Sequence, residues 1–474
     1  MSNFVIKKLA NQTAIYGIPS VIGRFLNYLL VPIYSRIFIP KEYGIVTEIY
    51  AYAAFFAVIL LFGMETSFFR FYKDERTRKD STGTIFCLIL LLSLFFAIIV
   101  FIFSNNISIW LGYPEQLLSK TIVYVKVFAC ILSLDTINSI LFAKLRIEEK
   151  AVKFAFIKVI SIIFNIFFNI YFLLVLNKIE IVYIFYSNLI ATFLTFIFLL
   201  PEVFKIKITI NLKLLKKILF YGLPLLIAGF AGIINEAADR ILLKNFLSGD
   251  VDVMHEIGIY GACYKLSIAI IIFLQAYKLA VEPMIFDKKN MSKIIYAKML
   301  NYFIIIGTTI LLIILLYIDY FKFFIGDKFH EGLHVVPILL FANLFLGIYY
   351  NLSIWYKISD KTNYGAVFSV LGALITIALN VLFIPLYGYT ASAWATLICF
   401  ITMAGASYFI GQKQYKIPYN IYKIMFYLIF SFLLYKISSI NIEVVSKEII
   451  NLFLLITYML TIFIVEKKSF NYEN

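Results

Sequence analysis

The chain has 474 residues, of which 62% are hydrophobic and 15% charged, and its formal net charge is +15. Long apolar runs recur from one end to the other, separated by short polar stretches, which excludes an ordinary soluble globular protein. The runs are continuous rather than alternating, which argues against a membrane β-barrel. Because a helix satisfies its own backbone hydrogen bonds in lipid, the composition predicts an all-α polytopic membrane protein.

The sequence predicts fourteen transmembrane helices. They cover residues 12–35, 43–66, 84–104, 120–142, 152–174, 181–200, 218–239, 257–282, 299–318, 334–355, 364–386, 389–410, 420–437 and 449–466. Most of the 42 lysines and arginines fall on alternate connecting segments, which the positive-inside rule assigns to the cytoplasm together with both termini. The positive charge is therefore interpreted as a sign of topology, and no nucleic-acid partner is expected. The first span follows Lys7 and Lys8 without a small-residue cleavage motif and is interpreted as a retained helix.

The first twelve spans contain an internal repeat. The segment FYGLPLLIAGF at 220–230 resembles IYGIPSVIGRF at 15–25, and HEIGIYGACY at 255–264 resembles KEYGIVTEIY at 41–50. Such a repeat predicts two six-helix lobes related by an axis along the membrane normal, with a substrate cavity between them. The predicted domains are an N-lobe at 1–205, a C-lobe at 206–412 and a C-terminal helix pair at 413–474.

An arginine lies near the middle of the first span. Arg24 aligns with Gly229 in the second copy, so the helix itself does not require a charge there, and it shares a helical face with Ser20 and Asn27. An arginine at the centre of a membrane helix costs about 2.5 to 3.5 kcal/mol. We therefore expect Arg24 to face a water-filled cavity and to bind an anionic substrate, with Ser20 and Asn27 lining the same cavity. A structural ion pair with a carboxylate of another span is the alternative.

Three lysines inside predicted spans are further candidates for substrate binding in this cavity. Lys265 lies well inside the eighth span. Lys158 and Lys126 lie closer to predicted helix ends, so extension of their ammonium groups to the membrane surface is the alternative. Asp135 is the most interior acidic residue and is a candidate site for a coupling proton or cation.

A polar stripe follows one face of the fifth span. Lys158, Ser161, Asn165 and Asn169 are spaced three or four residues apart. The corresponding stripe in the eleventh span keeps the last asparagine as Asn380 and replaces the lysine with a serine. The three asparagines are candidates to line the cavity, and hydrogen bonding between packed helices is the alternative.

Neither catalysis nor metal binding is indicated by the remaining motifs. The three histidines and four cysteines lack ligand spacing, and there is no glycine-rich phosphate-binding motif, so we expect no metal and no cofactor. Glu65 and Arg70, near the inner end of the second span, are interpreted as an interfacial ion pair. The chain is expected not to be an enzyme, because a membrane glycosyl polymerase or ligase would carry a large outer loop with catalytic carboxylates or histidines.

Three segments resemble sequences of O-antigen and polysaccharide flippases. They are YGIPSVIGRFLNYLLVPIYSRIFIPKEYGIVTEIY at 16–50, LLFGMETSFFRFY at 60–72 and YGLPLLIAGFAGIINEAADRILLKNFLS at 221–248. These flippases belong to the multidrug/oligosaccharidyl-lipid/polysaccharide exporter superfamily. The resemblance covers nearly the whole chain and implies a MATE-like fold of two six-helix lobes, followed by an extra C-terminal helix pair.

The resemblance also implies a function. It implies transfer of an undecaprenyl-diphosphate-linked oligosaccharide across the bacterial inner membrane by alternating access, for O-antigen, lipopolysaccharide, capsule or exopolysaccharide synthesis. An arginine in the first span also occurs in the related peptidoglycan-precursor flippase, so Arg24 is expected to engage the diphosphate. Membrane lipids, a polysaccharide polymerase and glycosyltransferases are the expected partners. The alternative is a cation-coupled antiporter of drugs or metabolites on the same fold.

Overall fold

The computed structural model describes residues 23, 26, 28–73, 77–247, 251–287, 292–359, 361–440 and 446–471. Of residues 79, 282–287 and 468–471 it describes the backbone. The described residues form helices and their connections and contain no β-strand. The chain divides into two compact units between Gly258 and Ile259.

The first unit contains nine described helices and the beginning of a tenth. They are α1 Val31–Ile37, α2 Pro40–Leu61, α3 Met64–Lys73, α4 Arg78–Ile102, α5 Ser104–Trp110, α6 Leu118–Ile147, α7 Ala151–Ile170, α8 Val182–Val203, α9 Leu212–Phe246 and α10 Val253–Leu266.

The second unit contains the end of α10 and nine further described helices. They are α11 Ile268–Asp287, α12 Lys293–Leu316, α13 Ile318–Phe321, α14 Val336–Leu352, α15 Ile354–Ile358, α16 Asn363–Tyr387, α17 Tyr389–Gln414, α18 Ile421–Ser438 and α19 Lys447–Asn471.

The membrane spans agree closely with the sequence prediction. Twelve spans in the described chain are long and apolar enough to cross a membrane, and α10 and α11, which bend by 46° at their break, make a thirteenth when counted as one broken span. In order, these thirteen correspond to the second through fourteenth predicted spans. The first predicted span, 12–35, lies mainly outside the described residues, so the total of fourteen stays a prediction.

The eighth predicted span, 257–282, is broken at Ser267. Asn343 on α14 donates from Nδ2 to the carbonyl oxygen of Ser267 at 3.2 Å and to its hydroxyl oxygen at 2.9 Å. A side chain that enters the backbone hydrogen-bond ladder of a helix kinks it. The residue that bonds to the helix at the bend between α10 and α11 therefore lies 76 residues further along the chain. The local sequence around Ser267 does not reveal it.

Equivalent helices of the two sequence copies pack in the same pairs. In the first unit α6 packs on α8, α7 on α8, and α4 on α6. In the second unit α14 packs on α17, α16 on α17, and α12 on α14, and the sequence repeat relates each pair to its counterpart. The extra helices α18 and α19 pack on α12 and on each other. One helical arrangement thus occurs twice, as the sequence predicts for the fold.

The compact units and the sequence repeat do not end at the same place. Helix α9 begins the second sequence copy, yet it packs on α2 and belongs to the first unit. The predicted domain limits at 205 and 412 follow the repeat alone and stay a prediction.

Two glycines allow α2 to approach α10 closely within the first unit. A Cβ atom added to Gly44 would overlap the backbone carbonyl of Met254, and one added to Gly258 would overlap the carbonyl of Pro40. The two positions match in the repeat, where KEYG at 41–44 corresponds to HEIG at 255–258. The glycine of each copy therefore lets the helix backbone of the other copy come into contact with it.

Candidate functional site

A polar cavity of about 310 Å³ lies inside the first unit, between α2, α6, α7 and α8. Half of its lining residues come from α6, and α2 contributes two apolar side chains. Its lining residues are Ala57, Leu61, Leu132, Asp135, Thr136, Asn138, Ser139, Phe142, Lys158, Ser161, Thr192 and Thr195.

The polar wall follows from helical spacing on three helices. On α6 the lining residues Asp135, Asn138, Ser139 and Phe142 recur at intervals of three and four and share one face. Helix α7 contributes Lys158 and Ser161 at an interval of three. Helix α8 contributes a pair of threonines at the same interval. Three polar faces therefore meet in one place inside the helical bundle.

The cavity contains one ammonium group and one carboxylate that do not form an ion pair with each other. The Lys158 ammonium lies 4.2 Å from the centre of the Phe142 ring and forms no salt bridge within the described chain. Asp135 accepts a hydrogen bond from Thr192 at 3.2 Å, and its side chain is exposed to the cavity. The carboxylates of Asp135 and Glu65 still act on Lys158 through their charge. The ammonium thus keeps donors that an anionic ligand could use.

Glu65 contacts a lining residue of this site, which the sequence did not predict. Its carboxylate accepts a short hydrogen bond from Ser139, a lining residue 74 positions away on α6. Arg70, its expected partner, lies instead over the ring of Tyr221 at 4.3 Å, so the interfacial pair is not formed. Only the packing of α3 on α6 could have revealed this contact.

Asn138 leaves an acceptor open beside the cavity. Its Nδ2 atom donates to the carbonyl oxygen of Thr192 at 3.1 Å, whereas its buried Oδ1 atom has no hydrogen-bond partner within the described residues. A buried polar atom without a partner is costly, and such atoms are often satisfied by water or a ligand. Asn138 was also not singled out from the sequence.

The predicted asparagines lie within packed helices. Asn169 is fully buried, donates to the carbonyl oxygen of Asn165 at 2.8 Å and accepts from the Tyr34 hydroxyl at 2.6 Å. Asn380 is also fully buried, donates to the carbonyl oxygen of Thr376 at 2.7 Å and accepts from Ser392 at 2.7 Å. None of the three asparagines lines the polar cavity. The same bond to the residue four positions earlier recurs in both copies, as expected for a structural role.

The other predicted cations are separate from this cavity. Lys126 lies 5.8 Å from the Phe101 ring, and Lys265 lies in the last turn of α10, next to the break at Ser267. Arg24, Ser20 and Asn27 lie outside the described residues. The structure therefore brings Lys158 and Asp135 together, out of the cations and acids that the sequence singled out.

The described residues contain no group of three or more histidine, cysteine or acidic side chains that could hold a metal ion. The cavity offers one ammonium group, carboxylate and amide oxygens and several hydroxyl groups. This combination is suited to holding a polar, charged group inside an apolar bundle, and it lacks an activated nucleophile.

These features define a multi-pass helical membrane protein with a polar site inside one helical bundle. The model of a family described as polysaccharide biosynthesis protein matches residues 9–289, and the chain belongs to this family. No match was found among curated proteins.

Several solved structures share the fold. The lipid II flippase MurJ in an inward closed conformation aligns with a TM-score of 0.74 and 16% identity, over 95% of this chain and 99% of its own. A multidrug resistance MATE family transporter of the MOP superfamily, inward-facing, aligns with a TM-score of 0.63 and 15% identity, over 87% and 94%. A MOP superfamily transporter from Pyrococcus furiosus aligns with a TM-score of 0.59 and 15% identity, over 89% and 97%. The MATE-like fold and the resemblance to polysaccharide flippases are thereby confirmed.

Proposed function

We propose that this protein is a flippase that moves an undecaprenyl-diphosphate-linked oligosaccharide across the bacterial inner membrane by alternating access. The supporting observation is the polar cavity of the first unit, which holds the Lys158 ammonium without a salt bridge in the described chain. An ammonium group inside a membrane bundle costs free energy, so a purely structural lysine would be expected to pair with a carboxylate. An anionic substrate supplies the missing partner.

The cavity chemistry fits the head of a lipid-linked sugar. The Lys158 ammonium has three N–H donors that can bond the oxygens of a diphosphate, and such charge-assisted bonds are strong in a site of low polarity. Ser161, Thr192 and Thr195 supply hydroxyl groups suited to sugar hydroxyls. The polyprenyl tail would remain in the lipid while the head moves.

Arg24 is the second proposed contact to the diphosphate, supported by the sequence resemblance. Its guanidinium would offer a planar pair of donors to phosphate oxygens. Ser20 and Asn27 share its helical face, and Lys265 and Lys126 stay candidates of lower rank. In this proposal both termini are cytoplasmic, and a polymerase and glycosyltransferases of the O-antigen, capsule or exopolysaccharide pathway act before and after translocation.

Asp135 supports the alternative function, a cation-coupled antiporter of drugs or metabolites. Its carboxylate is exposed to the cavity beside the open Oδ1 atom of Asn138. Carboxylate and amide oxygens attract protons and small cations. In the flippase proposal the same group would be a coupling site, so Asp135→Asn alone does not separate the two functions.

The deciding experiment measures flipping of a lipid-linked oligosaccharide in proteoliposomes, read as loss of protection from a membrane-impermeant sugar-modifying reagent. Lys158→Gln should slow flipping about tenfold or more, since a hydrogen bond to a charged group contributes about 1.5 to 3 kcal/mol. Lys158→Arg should retain most activity because the charge is kept. Lys120→Gln, an exposed lysine of the same helix α6 as Asp135, is the control and should behave as wild type.

Two outcomes would reject the proposal. Wild-type flipping by Lys158→Gln at matched protein levels would remove the cavity from the mechanism. Absence of flipping by the wild type, together with cation-driven uptake of a soluble cationic compound, would favour the antiporter.

A further inference from the structure

Four lysines surround one buried carboxylate in the first unit. They lie where the last turns of α6 and α8 meet the first turn of α7. Glu202 has 1% of its side chain exposed and accepts from Lys144 at 2.8 Å, Lys153 at 2.7 Å, Lys150 at 3.1 Å and Lys205 at 3.2 Å. We call these residues, together with Glu148, the lysine cluster. They lie beyond the residues that line the polar cavity.

The lysine cluster holds more positive charge than it neutralises. Its four lysines face two carboxylates, because Glu148 also bonds Lys144 at 3.2 Å and Lys150 at 2.6 Å. The bond to Glu148 raises the pKa of Lys150, so this ammonium is charged at neutral pH. The four ammonium groups and two carboxylates of the cluster therefore carry a formal net charge of +2.

Two of the four ammonium groups make a single ion pair and are the most open to a ligand. Lys153 and Lys205 make one ion pair each, both to Glu202, and their side chains are 35% and 58% exposed. An ammonium group carries three N–H donors, so each keeps up to two for a ligand. Lys144, in contrast, is 5% exposed and bonds both carboxylates. Lys144 is thus the buried part of the cluster. We call the exposed ammonium groups of Lys153 and Lys205 its rim.

The rim is bordered by exposed apolar side chains. Val152, next to Lys153, is 77% exposed, and Phe204, next to Lys205, is 83% exposed. In a membrane protein such side chains meet hydrocarbon, and a neighbouring lysine at the helix end reaches the headgroup layer. Apolar and cationic side chains therefore lie next to each other at the end of these helices, which suits the acyl chains and the phosphate of a phospholipid.

We propose that the lysine cluster is a binding site for the headgroup of an anionic phospholipid, with Lys153 and Lys205 donating to its phosphate. Basic pockets between transmembrane helices at the membrane surface are suited to such headgroups. Glu202 orders the lysines and limits their mutual repulsion. This site is independent of the proposed flippase function, because its ligand is a bilayer component and its residues do not line the polar cavity.

The test measures lipid binding by the purified full-length protein in detergent. The shift in melting temperature is followed while phosphatidylglycerol, phosphatidylcholine or soluble glycerol 3-phosphate is added, and retained lipid is counted by native mass spectrometry. The wild type should be stabilised by phosphatidylglycerol alone among the three. The double variant K153Q/K205Q should bind phosphatidylglycerol about ten- to thirtyfold more weakly, since one basic residue near a lipid headgroup contributes about 1 kcal/mol.

The matched control is K120Q/K178Q, which removes two exposed lysines, one at the opposite end of α6 and one in the connection between α7 and α8, and should bind as the wild type. The single variant K205Q loses one bond of a largely exposed lysine, so it will fold, and it should weaken binding about threefold to fivefold. Equal losses in the two double variants would overturn the proposal, as would equal stabilisation by phosphatidylcholine. Stabilisation by glycerol 3-phosphate would show a site for soluble phosphate and would overturn it too.

Discussion

Glu202 shows how this chain keeps a carboxylate inside a membrane protein. Its carboxylate is buried and bonded to four lysines, of which Lys144 is itself 5% exposed. Removing one partner of a buried ion pair is expensive because the other charge stays buried without compensation. Glu180 offers the opposite case, since it pairs with Lys120 and both side chains are 51% exposed.

The first prediction compares these two glutamates. Glu202→Gln should lower the free energy of unfolding by about 3 kcal/mol, because Lys144 and its neighbours then repel one another in a buried place. Glu180→Gln should cost less than about 1 kcal/mol, since water screens an exposed pair. Unfolding in a graded detergent mixture, followed by tryptophan fluorescence, measures both. Similar losses for the two variants would show that the lysine cluster contributes no more than a surface pair.

Single residues also show what the sequence could and could not reveal. Lys158 and Asp135 were identifiable because a charge inside an apolar segment is visible in the sequence itself. The contacts of Glu65 and Asn138 with the site were not, because Glu65 lies near a predicted helix end and Asn138 is one of many polar residues in spans. Their importance comes from contacts of α3 and α8 with α6, which no local pattern encodes.

At the scale of the helix, the crossing of α2 and α10 depends on two glycines rather than on side chains. Neither Gly44 nor Gly258 can carry a Cβ atom at the present separation of the two backbones. Close backbone approach through small residues is the common way in which membrane helices gain packing contacts. The repeat in the sequence placed both glycines at matching positions, but their contact became visible only in the structure.

The second prediction tests this crossing. Gly44→Ala should destabilise the protein by about 1 to 3 kcal/mol, since the methyl group forces the two helices apart. The control is Gly405→Ala on α17, where an added Cβ meets nothing within 4 Å among the described residues. That change should be neutral or stabilise by up to about 1 kcal/mol, because alanine favours a helix more than glycine does. Thermal unfolding curves give the melting temperatures of both variants. If Gly44→Ala melts at the wild-type temperature, the two helices are not held this close.

Helix prediction itself succeeded because long apolar runs are unambiguous, and thirteen described spans match predicted ones. The break at Ser267 was missed, since Asn343 that bonds it lies on another helix. Periodicity therefore locates helices in this chain, while kinks and crossings depend on partners that are distant in sequence.

At the scale of the whole molecule, the sequence repeat and the compact units assign α9 differently. By sequence it opens the second copy, and by packing it belongs to the first unit. A buried ion pair contributes to that placement: Lys244 at the end of α9 donates to Glu48 of α2 at 2.6 Å, and Glu48 is fully buried. The Tyr113 hydroxyl also donates to Glu48, and its ring lies 4.2 Å from the Lys244 ammonium.

Substitutions of Glu48 and Lys244 test whether this pair holds α9 on α2. Glu48→Met and Lys244→Met should each lower the free energy of unfolding by about 3 kcal/mol, because each leaves one buried charge unpaired. The double variant should cost only about 1 to 2 kcal/mol, since apolar side chains of similar volume replace both charges. What it loses are the partners of two neutral groups, the Tyr113 hydroxyl and the Leu111 carbonyl oxygen. Unfolding of all four proteins gives a double-mutant cycle whose coupling energy reports the pair directly. Additive losses would instead mean that the two charges act independently, and α9 would then owe its place in the first unit to apolar packing alone.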